Sequence, residues 1–180
     1  IKLEADMYIP QSIEHWFDVL KDRDVNVCTT IRNYKNDISD SRFYRRFIDD
    51  NNLPDVYNAI TYFKKSEFAR YFFSLVREVF ENWDEFKKTL KCNPNELATT
   101  DWVYAIACHI MGIENTTLPT FTDMSMVHMK PRINDLLVED WTNELNYECL
   151  EQLKINTFPQ RYPFYYHIKD FSTILRIIYG

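Results

Sequence analysis

Ile1-Lys2-Leu3-Glu4-Ala5-Asp6-Met7-Tyr8-Ile9 opens the chain, and its reading decides the fold. Ile1 and Leu3 alternate on one side, the period of a half-buried strand. Glu4 and Asp6 stand two apart, so on an extended backbone both carboxylates leave the same face. At a strand end such a pair suits Mg²⁺ or Mn²⁺, hard cations that combine carboxylates with substrate phosphate oxygens. Pro10 and Ser12 follow, and Ser12 is placed to cap a helix that begins at Ile13. The predicted unit is strand, acidic turn, helix. Taken alone, the pair reads more simply as two solvated carboxylates in a turn. The order of the later segments is what raises the metal reading.

The chain opens on Ile, already inside a strand-like pattern, which predicts that a further segment precedes it. Its 180 residues suit a single domain. Hydrophobic residues at 46% and aromatics at 16% supply a core and argue against disorder. A net charge of −6 without a basic run speaks against a nucleic-acid partner. The four cysteines Cys28, Cys92, Cys108 and Cys149 lie far apart without C-x-x-C spacing, as in a reducing, cytoplasmic setting. No apolar run reaches the length of a membrane span, and no signal peptide is read at the start.

Ile13, Trp16, Phe17 and Leu20 recur at i, i+3, i+4, i+7, an amphipathic helix over Ser12 to Lys21. Asp24 to Ile31 reads as a strand. Residues 32 to 55 are polar and charged, either a functional loop or lid or a solvated excursion with a short helix near Phe43 to Ile48. Val56 to Phe63 is a strand rich in β-branched and aromatic residues. Ser66 caps the longest helix, which runs to Leu90 with Phe72, Val79, Trp83 and Phe86 on the face toward the sheet. Asn93-Pro94-Asn95 makes a turn. Thr100 or Asp101 caps a helix from Trp102 to Met111, stopped by Gly112. Cys108 and His109 on it diverge by roughly 100° and cannot act as a pair. Met124 to Lys130 reads as a short strand, Asp140 to about Leu153 as a helix and Tyr165-Tyr166-His167 as extended. Phe171 to Tyr179 closes the chain as helix or strand. The fold class expected is α/β, a mixed sheet flanked by helices.

This order of elements resembles the second half of an A-type glycosyltransferase, the nucleotide-sugar-dependent kind related to glycogenin and bacterial galactosyltransferases. In that family a strand ends in Asp-x-Asp and runs into a helix, as Leu3-Glu4-Ala5-Asp6-Met7-Tyr8-Ile9-Pro10 does here with Glu4 for the first Asp. An Asn-Ala-Gly strand then leads to a helix opened by serine. Tyr57-Asn58-Ala59-Ile60-Thr61-Tyr62-Phe63-Lys64-Lys65-Ser66 is similar, with Ile60 where glycine is common. Thr100-Asp101-Trp102 is similar to the family's Asp-Gln at a helix start, with Trp102 for Gln. Val127-His128-Met129-Lys130-Pro131 is similar to its His and Lys-Pro. The likeness spans nearly the whole chain, and the shared order of short motifs carries it.

The resemblance implies the C-terminal half of a nucleotide-diphospho-sugar transferase fold, over one domain of residues 1–180. The part that holds base and ribose would lie before Ile1. It implies transfer of a sugar from a nucleotide-sugar donor to an unidentified sugar or protein acceptor. Asp6 with Glu4 would hold Mn²⁺ or Mg²⁺ against the two phosphates, as a Lewis acid for the leaving group. His128 would add a nitrogen ligand, with His167 as its competitor. Lys130 would meet a phosphate as a point charge, and Asn58 and Asp101 would bind and act on the donor sugar. Each has a plainer reading, Asp101 above all as an N-cap. Two other functions stay open. One is a non-catalytic binding or assembly module, which Glu4, Ile60 and Trp102 favour. The other, ranked lower, is a metal-dependent hydrolase using Glu4, Asp6 and His128.

Overall fold

The structure, a computed structural model, describes residues 1–4, 7–9, 12–32, 45–121, 123–124, 126–128 and 164–165. The helix expected over 140–153 and the closing element over 171–179 lie outside these residues. The chain forms two compact units. The first takes Ile1–Glu4, Ile13–Thr30 and Tyr44–Ser125, and the second Ala5–Ser12, Ile31–Phe43 and Met126–Gly180.

In the first unit β5 (Tyr57–Phe63) is the middle strand of a three-stranded antiparallel sheet, between β1 (Lys2–Leu3) and β3 (Val25–Cys28). Six of its seven residues are buried, which explains a run of β-branched and aromatic residues without polar alternation. Around the sheet stand α1 (Glu14–Leu20), α2 (Arg45–Asp50), α3 (Glu67–Glu81), α4 (Trp83–Phe86), α5 (Thr100–Met111) and α6 (Ile113–Thr116). The second unit holds a four-stranded mixed sheet in the order β2 (Met7–Tyr8), β7 (Phe164–Tyr165), β6 (Met126–His128), β4 (Ile31–Arg32). Its β4–β6 and β6–β7 pairs are parallel and its β2–β7 pair antiparallel. The architecture is α/β.

Several helix ends differ from the sequence reading. The first helix starts at Glu14 with Ile13 at the cap position and no side-chain cap bond, rather than on Ser12. The helix capped by Ser66, whose Oγ accepts from Ala69 N at 3.1 Å, breaks at Asn82 and does not run on to Leu90. Asn82 Nδ2 donates to Glu78 O at 3.1 Å, the local side-chain competition that makes asparagine a poor interior helix residue. Thr99 caps α5, its Oγ1 accepting from Trp102 N at 3.3 Å, so neither Thr100 nor Asp101 does. Gly112 ends α5 at φ 90°, where a Cβ would lie 2.6 Å from Glu114 Oε1.

The aromatic face of α3 and α4 is core, as its spacing predicts, but its main neighbour is α5 and β3 is the lesser one. Trp83 is the example. Its ring stacks on Trp102 of α5 and tilts against Phe47 of α2, both with centroids at 6.2 Å. Its Nε1 donates to Glu96 O at 2.9 Å, which satisfies the polar tip that burial would otherwise strand. Phe47 lies on Trp102 at 4.1 Å and 22°, closing a stack of three rings. Trp83→Ala is expected to cost about 3–5 kcal/mol in chemical denaturation. A loss below about 1 kcal/mol would show that the stack does not hold α2, α4 and α5 together.

Candidate functional site

The site grows out of an irregularity in the central strand. Pairing of β3 with β5 runs Val25 to Phe63, Asn26 to Tyr62 and Val27 to Thr61, then jumps to Cys28 with Tyr57. Asn58 lies inside that jump. On the other edge β1 pairs Lys2 with Thr61 and Leu3 with Ile60, and Glu4 N adds one bond to Ala59 O at 3.1 Å. The backbone of Asn58 is thereby released from both ladders at a position only 8% exposed. Buried peptide groups must find partners elsewhere.

They find them in side chains. Asn58 N donates to Asp101 Oδ1 at 2.9 Å. Asn58 O accepts from Lys2 Nζ at 2.7 Å and from Thr61 Oγ1 at 3.2 Å. The Asn58 amide repeats the pattern, with Nδ2 donating to Asp101 Oδ1 and Thr100 Oγ1, each at 2.8 Å, and Oδ1 accepting from Lys2 Nζ at 2.7 Å. Lys2 Nζ also reaches Glu4 Oε1 at 2.7 Å. Glu4, Lys2, Asn58, Thr100 and Asp101 thus make one network from the edge of the sheet to the first turn of α5.

Electrostatics differ along this chain of contacts. Lys2 and Glu4 are about one-third exposed, so their ion pair contributes about 0–1 kcal/mol and serves chiefly to orient. Asp101 is deeper. Burial pushes its carboxyl above the usual range, the two Asn58 donors pull it down, and Glu4 adds to the rise while Lys2 opposes it. Both bonds from Asn58 end on Oδ1. Asp101 Oδ2 has no hydrogen-bond partner among the described residues, which leaves it open to a ligand. One turn on, burial pushes the Tyr104 hydroxyl up to about 12, with Cys108, Glu4 and Asp101 adding to it. Cys108 is likewise held at about 12 by burial, an inert thiol, and His109 beside it faces outward.

Of the site residues expected from sequence, Glu4, Asn58 and Asp101 come together. Asp6, Lys130 and His167 lie outside the described residues, and His128 is described only as the last residue of β6. No group of three or more His, Cys, Asp or Glu suited to a metal occurs among the described residues. Asp101 was also expected as a helix cap. Thr99 takes that role, which frees the Asp101 carboxylate for Asn58. Ile60 is fully buried and Trp102 stacks in the core, so two of the three positions that depart from the motifs of the resemblance serve packing. Lys2 was missed, although the period-2 spacing that pairs Glu4 with Asp6 also sets Lys2 beside Glu4.

No protein-family model, curated protein or solved structure matches this chain.

Because the carboxyl of Asp101 is raised, its ionisation weakens the fold. That contribution is most favourable below the ordinary aspartate value of 3.8 and is lost as pH rises through the folded-state value. Asp101→Asn removes the titration. Its melting temperature relative to the unsubstituted chain should therefore climb between acid and neutral pH, as followed by circular dichroism. A difference independent of pH would mean that Asp101 ionises without cost.

Proposed function

We propose that this chain is the sugar-side half of a nucleotide-sugar-dependent glycosyltransferase, with the transferase fold that its motif order resembles. One observation carries the reading. Glu4, Asn58 and Asp101, chosen from three separate motifs, belong to a single hydrogen-bonded network although Asn58 and Asp101 are 43 residues apart in sequence. A coincidental set of short motifs has no reason to converge.

In this reading Asp101 is the group that meets the donor sugar, through Oδ2. Its partial burial strengthens a bond to a sugar hydroxyl relative to one made in bulk water. Asn58 has both amide hydrogens engaged within the network, so it orients Asp101 and acts on the sugar through it. Thr100 holds the amide from the other side. The motif order assigns Asp6, His128 and Lys130 to the donor's diphosphate. A divalent cation there, Mn²⁺ or Mg²⁺, would neutralise the charge that develops on the leaving diphosphate.

A non-catalytic binding or assembly module is the second reading. The burial of Ile60 and Trp102 favours it, because side chains spent on the core cannot contact a ligand.

Titration calorimetry with uridine, guanosine and cytidine diphosphates tests the proposal. At least one should bind weakly with Mn²⁺ and lose that binding in chelator and in Asp6→Ala. Asp101→Ala should weaken the matching sugar nucleotide roughly tenfold, about 1.4 kcal/mol, while leaving the bare diphosphate unchanged. Absence of binding, or equal binding with metal and chelator, would replace this proposal with the binding module.

A further inference from the structure

We propose that the Lys2 ammonium is a tethered cation that takes the place of a metal ion at Glu4 and orders this end of the site without one. An ammonium has three hydrogens to give. Here all three oxygens that it needs are supplied at 2.7 Å, by Glu4 Oε1, the Asn58 carbonyl and Asn58 Oδ1. Three oxygens, one from Glu4 just past β1 and two from Asn58 of β5, converge on one positive centre and form a cage, and the cage is filled from within the chain.

Its dimensions suit the ammonium better than a divalent ion. Calcium–oxygen contacts are about 2.3–2.6 Å and magnesium–oxygen contacts about 2.0–2.1 Å, both shorter than the cage. Calcium also takes roughly six to eight oxygens, and magnesium near-octahedral geometry with several waters. The cage offers one carboxylate and two neutral oxygens. A divalent ion therefore uses Glu4 only after Lys2 has left and the oxygens have drawn inward. The Lys2 side chain is 36% exposed and that of Glu4 33%, so both departure and entry lead directly to solvent.

Electrostatics give the tether a purpose. Glu4 and Asp101 act on each other as like charges, and Lys2 opposes that repulsion at Asp101. Without the ammonium two carboxylates would share the site uncompensated, and a cation from solution would be drawn to the vacated oxygens. With it, Asn58 keeps its Oδ1 on Lys2 and its Nδ2 on Asp101, the orientation that leaves Asp101 Oδ2 open. This inference goes beyond sugar transfer and stands without it, since it needs only the cage.

Electron paramagnetic resonance of Mn²⁺, titrated into the full chain without nucleotide, tests the inference. Four forms are compared: the unsubstituted chain, Glu4→Gln, Lys2→Met and the double variant. While Lys2 is present, Glu4→Gln should leave Mn²⁺ affinity unchanged. Lys2→Met should raise the affinity at least tenfold, and the double variant should cancel the gain. A folded Lys2→Met chain without that gain overturns the proposal, as does weaker Mn²⁺ binding by Glu4→Gln with Lys2 in place. Should Lys2→Met not fold, Glu4→Gln decides alone, unchanged affinity supporting the tether and weakened affinity refuting it. Because no nucleotide is present, a failure to bind nucleoside diphosphates leaves this result untouched.

Discussion

A peptide group with nowhere to bond organises this site. Where the pairing of Val25–Cys28 with Tyr57–Phe63 slips, the buried backbone of Asn58 loses its strand partners. An unmet buried donor or acceptor costs about 1–3 kcal/mol. Side chains from two distant segments, Lys2 and Asp101, converge to meet it. Polar groups that are otherwise expensive to bury become affordable here because each completes another's bonding. The strand irregularity and the hydrogen-bonded network are one feature.

Cooperation between helix ends and strand makes the arrangement possible. Thr99 caps the Thr100–Met111 helix, so the carboxylate of Asp101 is not consumed by its own backbone. Trp102, next along, turns into the three-ring stack with Phe47 and Trp83 and fixes the helix start against the core. The rigid packing of one residue thereby positions its neighbour. The network has a deep end at Asp101 and a wet end at Lys2 and Glu4. Burial raises the Asp101 carboxyl, while the Lys2–Glu4 pair stands where water screens it.

Local order was legible from the residues. The run Val56 to Phe63 reads as a strand because β-branched and aromatic side chains fit a pleated surface. Ser66 announces its helix, and the spacing of Phe72, Val79 and Trp83 announces the buried face. Glu4, Asn58 and Asp101 could be singled out from motif order, although no one of their motifs is specific. The break at Asn82 was less legible, since the aromatic period continues through it and only the asparagine signals the stop. Likewise, the sequence reading places the cap at Thr100 or Asp101, and only the geometry moves it to Thr99.

By itself the sequence determined the α/β class, the strand over Val56 to Phe63, the helical faces and the chemistry available at each candidate position. These follow from side-chain periodicity and intrinsic preference, which act over a few residues. Only tertiary structure decided that Lys2, and not solvent, meets Glu4, and that Asn58 spends its amide on Asp101. It also decided that the capping role passes to Thr99. Such choices depend on the register between strands, and a slip at Val27 and Cys28 is not written in either strand alone. Register is settled by which buried polar groups find partners, a balance struck across the whole sheet and the helix beside it.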